Sequence, residues 1–236
     1  MAQGVSRASR WAAVIGSAAA IGFIGGPLLA HLYIVPAMTG FVLFDFGGFL
    51  GVAALIAGII AAVRGAGLGF GFALGVLVTA AFLAVALPAA KFPPINDITT
   101  DTINPPQFVK AASLGANAGR NLGYPGAAFA EQQRAGYPGL GPLRMPLLAD
   151  DAFRHAVATA RQMPAWEITR VDPAARALEG VATSRLFRFQ DDFVVEVRPQ
   201  GDGSVVQMRS KSRDGKGDIG VNAARIKAFF ATLRGD

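Results

Sequence analysis

Positions 209–226 read Arg-Ser-Lys-Ser-Arg-Asp-Gly-Lys-Gly-Asp-Ile-Gly-Val-Asn-Ala-Ala-Arg-Ile, the densest run of charge, hydroxyl and glycine in a mostly apolar chain. Arg209, Lys211, Arg213 and Lys216 supply positive charge, and Ser210 and Ser212 supply hydroxyls. The glycines around Lys216 let backbone N–H groups approach a ligand, and a helix opening near Asp218 adds partial positive charge. Together they could cradle a phosphate, a lipid headgroup or a carboxylate. Strand alternation restricts that cradle. Arg209, Lys211 and Arg213 share one face and Ser210 and Ser212 the other, so they converge on one ligand only if the strand ends early.

A structural reading uses nearly the same residues and needs no ligand. Asp191 and Asp192, on the neighbouring strand, receive Arg209 or Arg213. Asp218 caps the last helix, and Asn222 stands one turn along. An aspartate at an N-cap contributes about 1 kcal/mol and opposed charges across strands about 0.2–1 kcal/mol. Because it accounts for most of the same residues with no ligand, this reading is preferred.

Catalysis has the least support. The chain has no cysteine and two histidines. His155 falls in a helical stretch away from any Gly-x-Ser-x-Gly elbow, and no His/Asp/Glu spacing reads as a metal site. Asp191 and Asp192 are adjacent on one strand, so their side chains point oppositely and cannot act as an acid–base pair. No cofactor, metal or catalytic residue is expected.

These residues are positioned by a C-terminal domain over 148–236. Its first helix occupies 148–163, with Asp150 and Asp151 in the first turn and Pro164 as the stop. Strand-like runs follow at 166–171, 177–183, 186–189, 193–198 and 204–209. Phe193, Val195 and Val197 alternate with Val194, Glu196 and Arg198, and Gln200-Gly201-Asp202-Gly203 signals a hairpin. The last helix presents Ile219, Ala223, Ile226, Phe230 and Leu233 at helical spacing. The expected class is α+β: an antiparallel sheet of about four or five strands with two helices.

Upstream, 91–147 forms a Pro/Gly-rich connecting arm. Gly-Tyr-Pro-Gly occurs at 123–126 and again at 136–139, bracketing a short helix over 127–135. Apolar residues such as Phe92, Ile95, Phe108 and Tyr124 indicate an arm packed on the domain or along a partner, not a free tether.

Hydrophobic residues make up 52% of the chain and charged ones only 16%, against about a quarter in a soluble domain. The deficit is concentrated at 11–90, where His31, Asp45 and Arg64 are the only acidic, basic or histidine side chains. Apolar runs at about 11–34, 41–63 and 68–90 each reach the roughly 20 residues needed to cross a bilayer. Arg7, Arg10 and Arg64 then share one side, which the positive-inside rule makes cytoplasmic. The domain after Lys91 is therefore expected in the periplasm of a multi-pass inner-membrane protein. His31 and Asp45 lie near the outward ends of their helices, and as intramembrane ionisable residues they are read as a structural pair. Gly67, Gly71, Gly75 and Thr79 form a small-residue ridge, with shorter ones at Gly22/Gly26 and Gly47/Gly51. Packing among the three helices is preferred to docking on a larger membrane partner. The net charge of +6 is spread without an aromatic-interleaved basic stripe, so nucleic acid is a poor partner.

Phe189-Gln190-Asp191-Asp192, followed by Arg209-Ser210-Lys211-Ser212-Arg213, Gly215, Asp218, Gly220, Asn222, Arg225 and Ile226, resembles the bacterial family known as domain of unknown function 1499. Residues 93–101 and Tyr137-Pro138 are similar to its upstream motifs, and the resemblance runs from about Phe92 to the C-terminus. The resemblance implies an N-terminal membrane anchor or export signal. Gly217 departs from the family pattern, which more often has serine there. No reaction is implied. The expected function is a membrane-anchored extracytoplasmic interaction module, an accessory or assembly component of an envelope complex with a membrane-protein partner. A module binding an anionic small molecule or lipid headgroup stands second, and a hydrolase third.

Overall fold

The computed structural model describes residues 7–235. Two compact units are present. One comprises the described residues up to Ala90 together with Arg185–Arg188, and the other the remaining residues from Lys91 onward.

The first unit is built on α1 (Arg7–His31), α2 (Ala37–Val63) and α3 (Phe70–Ala89). All three are long and apolar enough to cross a membrane, with mean hydropathy of 1.8, 2.4 and 2.4. Lipid gives helices no hydrophobic reason to associate, so close backbone approach has to hold them together. The glycines provide it. A Cβ on Gly71 would stand 2.2 Å from the Ala12 backbone, on Gly75 2.4 Å from Leu55, and on Gly47 2.3 Å from Phe23. Gly26 meets Gly40 in the same way. The expected ridges thus face into the unit. Gly67 does not extend its ridge, because it lies in the turn before α3 at φ +71° with open space around it.

The second unit is α+β, around a six-stranded antiparallel sheet in the order β1-β6-β5-β4-β3, with β2 also pairing β6. The strands are β1 (Asp97–Thr99), β2 (Leu143–Met145), β3 (Trp166–Asp172), β4 (Ala177–Thr183), β5 (Gln190–Gln200) and β6 (Gly203–Ser212). Helices α4 (Ala127–Gly136), α5 (Ala149–Gln162) and α6 (Val221–Arg234) complete it. One sheet face, with Leu178, Phe193, Val195 and Met208, packs on α5 and α6 through Phe153, Ala156, Ile226 and Phe229.

Three local expectations need correction. The run 186–189 does not form a strand: Leu186 lies in a turn between β4 and β5, and the Phe189 N–H bonds the Ser184 hydroxyl across its neck. The segment 91–147 supplies β1 and β2 to opposite ends of one edge of β6, so it belongs to the sheet. Finally, α6 starts at Val221, later than expected. Ile219, at φ +46°, lies outside the helix and is 50% exposed, whereas Ala223, Ile226, Phe230 and Leu233 are buried as their spacing requires.

Candidate functional site

The site is organised by β6. Its pleat sends Arg209 and Lys211 to the face away from α5 and α6, and Ser210 and Ser212 towards α6.

On the first face Arg209 is fully buried, an expensive place for a charge unless it is paired and hydrogen-bonded. Its Nε and Nη2 donate to Oδ1 and Oδ2 of Asp97, both at 2.8 Å. Two of its other protons go to the carbonyls of Pro106 (3.2 Å) and Leu122 (2.7 Å). The rings of Phe108 and Tyr124 lie 4.8 and 5.6 Å from the guanidinium carbon, giving cation–π contact. Burial, reinforced by the Asp97 charge, pushes the Tyr124 phenol up to about 12. Lys211 Nζ donates to the same Asp97 at 2.8 Å. Further along, Arg213 donates to Asp192 at 2.7 Å, and Asn117 Nδ2 donates to the other Asp192 oxygen at 3.0 Å.

Glu179 on β4 completes this face. Fully buried, its carboxylate accepts the backbone N–H groups of Val109, Lys110 and Ala111 at 2.9–3.1 Å. Arg170 lies 3.3 Å from it. An internal carboxylate thus fills the nest of N–H groups opening the short 3-10 turn Ala111–Ser113.

On the α6 face the Ser210 hydroxyl donates to Asn222 Oδ1 at 2.6 Å, and Asn222 Nδ2 donates to the Ser212 hydroxyl at 2.9 Å. Arg225 donates to Ser210 at 2.9 Å and to Asp191 at 2.5 Å. Asp218 accepts the N–H groups of Gly220 and Asn222, both at 2.9 Å, and so caps α6 from ahead of its first turn. Burial raises the Asp218 pKa against the pull of those N–H bonds, and the nearby Asp191 charge adds to the rise. Burial and the neighbouring Asp218 push Tyr137 up to about 12.

The expected residues therefore form two clusters. Arg209, Lys211, Arg213 and Asp192 lie on one side of the sheet. Asp191, Ser210, Ser212, Asn222, Arg225 and Asp218 lie on the other. Asp192 receives Arg213 as expected, but Arg209 goes to Asp97 and Asp191 to Arg225. Lys216 joins neither cluster: it is exposed in the turn after β6. Among the described residues no bond joins His31 to Asp45, and the expected pair is not formed. His31 Nδ1–H instead donates to the Arg185 carbonyl at 3.0 Å. Sequence reasoning missed Asp97, Glu179 and Asn117. A lone glutamate inside the apolar strand 177–183 was the available signal for Glu179. Two open cavities, of about 620 and 310 Å³, lie beside α5 and α6 and away from both clusters.

Fold and site together define an α+β module following three membrane-length apolar helices, its strand β6 clamped by ion pairs on one face and a hydroxyl–amide network on the other. The chain belongs to the family described as Protein of unknown function (DUF1499), whose model matches residues 97–233 and so includes both clusters. No curated protein matches it. Among solved structures, the crystal structure of Ara h 8.0201 is similar at 13% identity over 40% of this chain and 95% of that one. Its TM-score is 0.28.

Proposed function

We propose that the protein is a membrane-anchored interaction module, an accessory or assembly component of an envelope complex. In this reading α1–α3 cross the bacterial inner membrane, and the second unit stands in the periplasm. Arg7, Arg10 and Arg64 support that orientation, since the α1–α2 connection at 32–36 has no lysine or arginine.

One observation carries the reading. Arg209, Lys211, Arg213 and Arg225 are each bound to a carboxylate of the same chain, at 2.5–2.8 Å. The family signature thus serves as an internal frame that makes the module rigid, and rigid surfaces suit recognition. An anionic ligand competing for these cations would have to displace Asp97, Asp191 or Asp192.

Native mass spectrometry of the protein released gently from its own membrane tests the proposal. A protein subunit co-released in fixed stoichiometry is the expected result, and a reproducibly bare chain overturns it. Because the chain has no cysteine, a single cysteine at Asp202 can report orientation through an impermeant label applied from the periplasmic side.

A further inference from the structure

The segment after α3 and the turn before α6 meet at one corner of the second unit. The Asp218 N–H donates to the Ile95 carbonyl at 3.2 Å, and Asn96 Nδ2 donates to the Gly215 carbonyl at 2.6 Å. The Phe92 ring covers Gly220, where a Cβ would stand 2.5 Å from it. Phe92 is the third residue after Ala89, the end of α3. Three residues of chain can carry Phe92 no farther than roughly 11 Å from the end of α3, whatever the arrangement of the two units.

What the corner exposes is unusual. Ile219 holds φ +46°, a left-handed conformation that is a true outlier for a β-branched side chain, and is 50% exposed. Strain of this kind persists only where the surrounding structure imposes it, and it clusters at functional positions such as ligand clamps and switch regions. Val221 and Phe92 are about 40% exposed. Beside them Lys91 and Lys216 reach solvent, and Lys216 has no ion-pair partner among the described residues. Asp214 is the one acid in the turn 213–217.

We infer that this corner docks on the interfacial layer of the bilayer holding the anchor. Ile219 and Val221 enter the headgroup–acyl boundary, and Lys91 and Lys216 meet anionic headgroup phosphates. Apolar side chains beside lysines are the composition that binds a lipid surface, where burial and attraction to anionic lipid act together. A free phosphate would need the lysines alone and leave Ile219 and Val221 in water. The inference rests on the anchored-module reading and adds to it a lipid-contacting face.

The test uses the full chain in nanodiscs of phosphatidylcholine, with or without phosphatidylglycerol. A spin label at Val221→Cys leaves Ile219 in place, and one at Asp202→Cys serves as the reference. Accessibility to a water-soluble nickel chelate and to oxygen is read by power saturation. The expected result is several-fold shielding from the chelate at 221 relative to 202, stronger with phosphatidylglycerol. Lys91→Gln with Lys216→Gln should weaken it, and so should Ile219→Gly, which keeps the fold because glycine adopts this φ freely. Equal chelate access at 221 and 202 overturns the inference. Shielding indifferent to phosphatidylglycerol and to the lysines overturns the headgroup assignment. Shielding seen in native membranes but absent from nanodiscs makes the occupant a protein, which also overturns the inference but leaves the interaction-module reading standing. A chain that does not insert into nanodiscs overturns the anchor itself.

Discussion

Asp97 and Arg209 are 112 positions apart in the chain, yet both are fully buried and share two hydrogen bonds of 2.8 Å. This pair fastens β1 to β6. Through the Pro106 and Leu122 carbonyls it also fixes the segment that crosses the sheet face away from α5 and α6.

Removing one partner strands the other as an uncompensated buried charge. Arg209→Gln is expected to destabilise the protein by roughly 3–5 kcal/mol, and Asp97→Asn by a comparable amount because it also releases Lys211. The double variant should cost clearly less than the sum. Chemical denaturation of the three variants in detergent checks this, and strict additivity would refute direct coupling.

Glu179→Gln keeps the size of the side chain but removes the charge that holds Val109, Lys110 and Ala111. Charge-assisted bonds of this kind contribute about 1.5–3 kcal/mol each, so the loss should be local and large. Hydrogen exchange at these three amides is the readout. It should accelerate while exchange in β5 stays slow.

Gly75→Val places a side chain where a Cβ would already stand 2.4 Å from the Leu55 nitrogen. Overpacking should cost about 1–3 kcal/mol or more and part α3 from α2. Gly25, with nothing within 4 Å, should accept alanine without loss. Thermal unfolding followed by circular dichroism in one detergent compares the two, and equal melting points would contradict the packing argument.

The raised pKa of Asp218 has a definite sign. The folded protein holds this proton more tightly than the unfolded chain, so the group's stabilising contribution is present below the unfolded value, near pH 4, and is lost as pH rises through the higher folded value. Asp218→Asn removes that dependence. The melting temperature of the wild type minus that of the variant should therefore fall as pH rises from about 4 towards neutrality. A difference independent of pH would show that burial does not raise this carboxyl.

The sequence alone determined whatever depends on neighbouring residues. A membrane-length span needs about 20 apolar residues in a row, so α1–α3 were legible within a few positions. Alternation placed Phe193, Val195 and Val197 on one face, and it required Asp191 and Asp192 to diverge, as they do. Asp218 was recognisable as the cap of α6, although not the two residues at positive φ between it and the helix.

Only the tertiary structure decided which charges meet. Pairing across a sheet depends on register between strands far apart in the chain, and no local pattern encodes it. Asp97 lies in a three-residue strand too short to announce itself, and Glu179 in a strand whose composition otherwise reads as core. Segment 91–147 was legible as a packed arm with a short helix, but its prolines and glycines obscured the two short strands that pair β6. The helix glycines were visible as ridges, but their direction was not, since a period of four marks one side of a helix without naming what lies there.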